Sequence, residues 1–207
     1  PEYMEMLNSL GIPLLFIDAA YDTDFTQINA DFLMMENRIS VYNMTDALIQ
    51  KGLTRLAFAG DRRHCRSFFE RWQGFTDAMT ENGLTPCTTQ FTDTNVFAEA
   101  ALLDETLKRT LKLPEVFICA NDFIAIDLIR ALRRQGVRVP EDIFITGFDN
   151  SAESRIIEPH LTTIDIPSSK MGYIAADLLL SRIREPETPY RIMYVRTNAK
   201  YRESAMI

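Results

Sequence analysis

Residues 143–150 read IFITGFDN, an apolar run of strand length that ends in two polar residues, Asp149 and Asn150. Three similar segments precede it, at 13–18 (PLLFID), 55–61 (RLAFAGD) and 116–121 (VFICAN). Nearly continuous apolar runs of this length are typical of strands that are covered on both faces, as in parallel sheets. We therefore predict four buried strands.

The stretches between these strands carry apolar residues at helical spacing. Val41, Met44 and Leu48, for example, share one face of a predicted helix that Gly52 ends. Helices are predicted over 37–51, 66–82, 95–110, 122–135 and 169–184, with a further strand near 190–194. This alternation predicts right-handed βαβ units, and hence an α/β fold with doubly wound parallel sheets.

The four buried strands each end in a polar side chain: Asp18, Asp61, Asn121 and Asp149. In open α/β sheets, ligands bind outside the carboxyl ends of the strands. Asp and Asn there can share hydrogen bonds with the hydroxyls of a sugar or the amines of a base. Each residue alone is equally consistent with capping the next helix, which Asp and Asn also do well. All four together favour a ligand site.

Motifs for cofactors, metals and catalysis are absent from the sequence. There is no GxGxxG or GxxxxGK[ST] phosphate loop and no GxSxG nucleophile elbow. His64 and His160 lack metal-ligand spacing, and His64 lies among arginines in what we interpret as a solvated basic loop. We therefore expect no cofactor, no metal, no catalytic residues and no enzymatic activity.

Composition narrows the class of protein further. The chain has 207 residues, of which 46% are apolar and 25% charged, as in ordinary globular proteins. Its net charge of −7 makes it a poor nucleic-acid binder on its own. No apolar run is long enough to cross a membrane. The odd set of Cys65, Cys87 and Cys119 favours reduced thiols in a cytosol, and the start at Pro1 suggests a piece of a longer protein.

An ordered set of motifs carries a family resemblance. The motifs are GF at 74–75, CAND at 119–122, VPEDI at 139–143, TGFDN at 146–150, PHLTTI at 159–164 and MG at 171–172. Together they resemble the sensor domain of the lactose-repressor/galactose-repressor family of bacterial transcription regulators. The resemblance covers essentially the whole chain.

The resemblance implies a two-lobed fold similar to periplasmic sugar-binding proteins, with the first lobe incomplete in this chain. It also implies that a sugar, sugar phosphate or purine effector binds between the lobes and changes operator binding. The operator would be bound by a helix-turn-helix domain outside this chain, in a cytoplasmic bacterial homodimer. The alternative is a periplasmic solute-binding protein of a sugar transporter.

Five residues match effector contacts of that family. Asp149 and Asn121 match positions that contact effector hydroxyls or base nitrogens. Arg71 matches a cleft arginine that would donate a bidentate pair of hydrogen bonds. Asp18 matches a contact from the first lobe, and Ser67 would line the same pocket. A structural cap or an ion pair is the alternative role for Asp149, Asn121 and Arg71.

The resemblance also predicts how the chain divides between lobes. Residues 1–35 and 163–195 would form the first lobe, and 36–162 and 196–207 the second. We expect the dimer surface on the second lobe. Its candidates are Ile124 and Leu128 on the helix over 122–135, together with the pair Ile156 and Ile157, which can equally be a core anchor.

Overall fold

Two separate parallel sheets form the framework of the computed structural model, which describes residues 2–92 and 95–206. The strands are β1 (Leu15–Ile17), β2 (Asp31–Met35), β3 (Leu56–Ala59), β4 (Val116–Cys119), β5 (Phe144–Thr146), β6 (Thr163–Asp165), β7 (Ile192–Val195) and β8 (Asn198–Lys200). The helices are α1 (Glu2–Ser9), α2 (Arg38–Gln50), α3 (Arg66–Glu81), α4 (Ala100–Arg109), α5 (Asp122–Arg134) and α6 (Ser168–Arg184). Short 3₁₀ turns occupy Phe25–Gln27, Asn95–Phe97 and Glu153–Arg155.

The order of strands confirms the predicted α/β class. The first sheet has the order β1–β2–β7 and the second the order β3–β4–β5, and every pairing in both is parallel. A third sheet pairs β6 with β8 in antiparallel fashion. The four predicted buried strands contain β1, β3, β4 and β5, so the residues that follow β3, β4 and β5 emerge at one edge of the second sheet.

Strand β2 is absent from the sequence-based prediction, although all five of its residues are buried. It begins with a charged residue, Asp31, which has no exposed surface. The carboxylate is paired with Arg182 at 2.9 Å and with Arg191 at 3.2 Å. These partners lie about 150 residues further along the chain, so the local pattern does not reveal how a charge is accommodated at the start of a central strand.

The predicted helix over 95–110 is shorter than expected. A 3₁₀ turn covers Asn95–Phe97, and α4 begins only at Ala100. Leu103 and Leu107 face the core, but Leu111, which the helical spacing aligns with them, lies beyond the helix and is fully exposed. Leu111 is therefore not part of the apolar face of this helix, because the helix ends at Arg109.

Helices α2 and α3 pack closely against each other. A side chain added at Gly74 of α3 would overlap the backbone carbonyl of Arg38 in α2. The two helices cover one face of the second sheet with Val41, Met44 and Phe75, which share a core cluster with Phe58 of β3. The absence of a side chain at Gly74 is thus what permits this packing distance.

Three of the four predicted dimer residues pack in or against the core, and the fourth is exposed. Leu128 is 0% exposed and packs in the core beneath α5, so its placement at a dimer surface is wrong. Leu128 lies on the inward face of α5. The apolar spacing of a helix shows that one face is covered, but not whether the core or a second subunit covers it. Ile124 packs against two clusters of buried apolar residues, one that contains Phe58 and one that contains Leu128. Ile157 packs against the second of these clusters. Ile156 is 75% exposed, and its role at an interface stays a prediction.

Candidate functional site

A polar cluster lies where residues after β1 meet residues around the second sheet. The Ser67 hydroxyl, in the first turn of α3, donates to Asp18 Oδ2 at 2.7 Å. One turn further along α3, Arg71 Nη1 lies 3.5 Å from Asp149 Oδ1. Four of the five predicted effector contacts, Asp18, Ser67, Arg71 and Asp149, therefore lie in two neighbouring pairs. We call these four residues the polar cluster.

Arg71 is held firmly by the protein itself. Its side chain is buried, and its Nε donates to Asn37 Oδ1 at 2.9 Å while Nη1 donates to the Ala120 carbonyl at 2.7 Å. The guanidinium carbon lies 3.6 Å from the centroid of the Phe148 ring, a close cation–π contact. Three of the five guanidinium N–H donors thus have partners inside the protein, the third being Nη2, which lies 3.6 Å from Met35 Sδ. The predicted bidentate donation to a ligand stays a prediction.

Asp149 is presented by a turn with two consecutive left-handed residues. Asp149 has φ +115° and Asn150 has φ +53°, conformations that non-glycine residues rarely adopt. Backbone strain of this kind persists only where surrounding contacts fix it, and it is common at ligand sites. Asn150 is fixed from both sides, by Asp165 at 2.7 Å and by Arg202 at 2.5 Å.

Asp122, at the start of α5, supports the same turn from below. It accepts hydrogen bonds from the Ser151 backbone at 2.7 Å and from the Thr163 hydroxyl at 2.5 Å. Burial raises the pKa of the Asp122 carboxyl, and these hydrogen bonds act against the increase. A side chain at Gly147 would overlap Asp122, which explains the glycine inside this strand region.

The pKa of the Asp149 carboxyl is shifted strongly by its surroundings. Burial raises the pKa of its carboxyl to about 6. The Arg71 guanidinium acts to lower that pKa, and the nearby carboxylates of Asp122 and Asp18 act to raise it. Strongly shifted carboxyl groups in clefts are a recurring feature of binding sites.

Asn121, the fifth predicted contact, caps α5 and lines a pocket. Its Oδ1 accepts from the Ile124 backbone at 2.9 Å, so the capping role considered from the sequence is present. The pocket has a volume of about 400 Å³, and we call it the side pocket. Its lining residues are Asp61, His64, Phe68, Phe97, Ala98, Asn121 and Ile124.

The side pocket changes the interpretation of two residues. The sequence predicts a solvated basic loop around His64, and Asp61, although it ends a predicted strand, is not among the five residues that match effector contacts of the family. Both residues line the side pocket together with Asn121. The strand-end pattern at Asp61 and Asn121 is the sequence signal that indicates this edge of the sheet. Nothing in the sequence predicts that Phe97 lies beside it.

Two further buried polar residues connect the cluster to the first sheet, and the sequence analysis missed them. Asn37, which is 1% exposed, donates to Glu70 Oε2 at 3.0 Å while accepting from Arg71. Glu70 also accepts from the Tyr194 hydroxyl of β7 at 3.0 Å. A chain of hydrogen bonds therefore runs from Arg71 to the first sheet.

A second connection between the two sheets lies beside Asp18. The Arg66 backbone donates to the Ala19 carbonyl at 2.9 Å, and the rings of Tyr21 and Phe69 meet edge to face at 5.5 Å. Asp18 itself has φ +65°. The loop after β1 thus packs directly on the first two turns of α3.

Other kinds of site are not found in the described part of the chain. Residues 2–92 and 95–206 contain no group of three or more His, Cys, Asp or Glu side chains arranged to hold a metal ion. Within the same residues, no helix has the length and apolarity that crossing a membrane requires.

Comparison with protein families gives one domain match. The profile of the family described as "Periplasmic binding protein-like domain" matches residues 45–205. Among curated proteins, the ribose operon repressor of Haemophilus influenzae is 27% identical over 197 residues, covering 95% of this chain and 58% of that protein. The HTH-type transcriptional repressor PurR of Vibrio cholerae is 30% identical over 194 residues, covering 92% and 56%. The chain thus spans little more than half the length of these relatives.

Two solved structures of transcription regulators have the same fold as this chain. A complex of the transcriptional regulator CelR with cellobiose has a TM-score of 0.84 at 26% identity, covering 97% of this chain and 61% of that one. A LacI family transcriptional regulator from Enterococcus faecium with bound ribose has a TM-score of 0.80 at 24% identity, covering 98% and 73%. The second likeness establishes the fold alone.

Proposed function

Because the chain belongs to the periplasmic binding protein-like domain family, in the form found in lactose-repressor/galactose-repressor regulators, we propose that it is the effector-sensing domain of a bacterial DNA-binding transcription regulator. Its effector is a small polar molecule of the sugar, sugar phosphate or purine type. The domain performs no catalysis. The curated relatives that we report are repressors, which favours regulation over the transport alternative.

The observation that carries this proposal is the convergence of polar groups from two sheets. Asp18 follows β1 of the first sheet and meets Ser67 at 2.7 Å, while Asp149 follows β5 of the second sheet and meets Arg71 at 3.5 Å. A ligand that contacts Asp18 and Asp149 together contacts both sheets. Its binding energy then depends on how the sheets are arranged.

We propose that the two sheets are the cores of two lobes, 1–35 with 163–195 and 36–162 with 196–207. An effector that binds one arrangement of the lobes better than another shifts the population towards that arrangement. Operator affinity changes by the same coupling free energy. Asn121, Asp149 and Arg71 act from the second lobe and Asp18 from the first, with Ser67 between them.

The partners follow from the same proposal. The domain works as a cytoplasmic homodimer with Ile156 at its surface, and operator DNA is bound by a helix-turn-helix domain in another part of the protein. The net charge of −7 supports this separation, since the acidic sensor repels DNA phosphates.

A thermal-shift screen tests the proposal. The full-length protein is heated with sugars, sugar phosphates and purines, each in large excess. A ligand at about 100 times its dissociation constant stabilises the native state by about 2.7 kcal/mol. For a domain of this size, that is a shift of roughly 5–10 °C.

Two variants give the screen its control. Asp149→Ala removes a proposed contact and should abolish the shift. Asp177→Ala removes an exposed carboxylate on α6, far from the polar cluster in sequence, and should leave the shift intact. Absence of a shift with every compound, in a folded protein, would count against the proposal.

A further inference from the structure

The start of α3 is capped by a loop that belongs to the first sheet. Its N-cap residue, Cys65, makes no side-chain capping hydrogen bond among the residues that the structure describes. The first amides of a helix have no partner within that helix. The amide of Arg66, at the first helical position, donates to the Ala19 carbonyl at 2.9 Å, in the loop after β1. The first sheet thus satisfies a donor that α3 cannot satisfy itself.

Side chains of the same helix turn extend this contact along the loop. The Arg66 guanidinium carbon lies 5.5 Å from the centroid of the Phe25 ring. The rings of Phe69 and Tyr21 meet edge to face, with their centroids 5.5 Å apart. Both arrangements are attractive contacts of aromatic rings. The loop over 19–25 therefore packs on the first turn of α3 through backbone and side chains alike.

Glu70, one turn further along α3, joins the helix to the opposite edge of the first sheet. Its carboxylate is buried and accepts from the Tyr194 hydroxyl of β7 at 3.0 Å. Arg66 and Asn37 donate to the same carboxylate, each at 3.0 Å. Burial and the nearby Glu70 carboxylate raise the pKa of Tyr194 to about 12, so this hydroxyl remains a donor at neutral pH. A buried carboxylate is costly without such donors, which ties the position of α3 to that of β7.

We propose that these contacts form a latch, which holds the start of α3 against the first sheet and can open without unfolding the protein. The latch consists of the contacts that Arg66, Phe69 and Glu70 make with Ala19, Tyr21, Phe25 and Tyr194. When it opens, α3 loses the cap at Arg66 and its first turn, which carries Ser67, frays. Glu70 is thus a positioning residue outside the five predicted effector contacts. The latch does not depend on which effector binds, and only its influence on sensing rests on the proposed function.

Hydrogen–deuterium exchange of the full-length protein, resolved to single residues, tests the latch with no ligand added. The Arg66 amide reports on it directly, since its acceptor is the Ala19 carbonyl. That amide should be protected from exchange, because exchange requires a local opening of the latch. Its protection should be weaker than that of the Ile118 amide, since β4 lies in the middle of the second sheet and opens only when the protein unfolds.

Two tyrosine variants distinguish the latch from other contacts of α3. Tyr194→Phe removes only the hydroxyl that donates to Glu70. The net contribution of one hydrogen bond corresponds to roughly 2- to 10-fold in an equilibrium constant, and exchange at Arg66 should accelerate by that factor. Tyr42→Phe is the matched control, because Tyr42 donates to Glu81 of α3 at 2.6 Å but lies in α2, on the second sheet. It should leave exchange at Arg66 unchanged.

A second pair of variants tests the latch from the loop. Tyr21→Ala removes the ring that packs on Phe69, and it should also accelerate exchange at Arg66. Tyr173→Ala, at an exposed position of α6, should not.

Three results would overturn the inference. An unprotected Arg66 amide would show that the latch is not formed, and protection equal to that of Ile118 would show that it does not open locally. Equal exchange at Arg66 in Tyr194→Phe and Tyr42→Phe would remove Glu70 from the latch. Each of these results leaves the proposed function standing, since the thermal-shift screen tests that function separately.

Discussion

Asp149 combines three features that rarely coincide in one residue: a left-handed backbone, a half-buried carboxyl and an arginine neighbour 3.5 Å away. Burial holds its pKa near 6 against the influence of Arg71. Since the protonated form loses acceptor capacity, the residue connects the binding of a hydroxyl-rich ligand to pH.

The first prediction concerns this pH dependence. Above the pKa of about 6, Asp149 is ionised and accepts ligand hydroxyls fully; below it the carboxyl is neutral. Effector affinity should therefore fall several-fold between pH 7.5 and pH 5. Asp149→Asn should bind more weakly at pH 7.5 and lose most of the pH dependence. Titration calorimetry across this range measures both, and an unchanged pH profile in the variant would assign the effect to another group.

The site residues found from the sequence and those missed differ in one physical respect. Asp149 and Asn121 follow buried strands, and the geometry of parallel sheets brings such positions to a common edge. Asn37 and Glu70 are polar residues in helical surroundings, and their burial arises from tertiary contacts with Arg71 and Tyr194. A local sequence pattern does not predict a hydrogen-bond partner that lies far away in the chain.

At the scale of elements, the contact between α2 and α3 depends on Gly74. The second prediction is that Gly74→Ala destabilises the protein by about 1–3 kcal/mol, because the added methyl group forces the helices apart. Gly172→Ala is the matched control. Gly172 lies in α6 with open space around it, so alanine should stabilise there by about 0.5–1 kcal/mol. Urea unfolding measures both; equal stabilities for the two variants would contradict the packing account.

The helices and strands that could be predicted are those whose apolar residues form a recognisable pattern within the segment itself. The apolar runs of β3, β4 and β5 and the apolar face of α5 are visible in the sequence because both arise from burial against neighbouring layers. Strand β2 was not, since its first residue is charged and is neutralised by Arg182 and Arg191. The short strands β6 and β8 have only three residues each and give no periodic signal.

At the scale of the whole molecule, a buried ion cluster ties distant parts of the chain together. Burial alone would raise the pKa of Asp31, but hydrogen bonds from Arg182 and Arg191 outweigh it and lower that pKa to about 2. Asp31 begins β2, Arg182 lies in α6 and Arg191 precedes β7. The first sheet and its helix are therefore joined by one carboxylate.

The third prediction follows from this cluster. Arg182→Ala should cost about 3–5 kcal/mol, because it leaves a buried carboxylate short of its partner. Arg184→Ala, at an exposed position of the same helix turn, should cost little. Since the pKa of Asp31 is lowered on folding, its stabilisation is present above pH 3.8 and is lost as the pH falls towards 2. Urea midpoints at pH 7 and pH 3 test both statements, and a stable Arg182→Ala protein would refute the first.

The fourth prediction concerns association. If the protein is a homodimer through the second lobe, Ile156→Asp should weaken it at least tenfold by placing a charge at the interface. Leu111→Asp is the control, since Leu111 is also exposed but lies just beyond the end of α4. Sedimentation equilibrium measures both. Unchanged association of the Ile156 variant would place the interface elsewhere.

The central claim is that one effector is held between the two sheets. Hydrogen–deuterium exchange of the full-length protein, with and without the compound that gives the largest thermal shift, tests it most directly. The account predicts slower exchange in the loop at 18–25, after β1, and in the turn at 147–151, after β5. Slower exchange in only one of these segments, or in neither, would contradict a ligand that contacts both sheets.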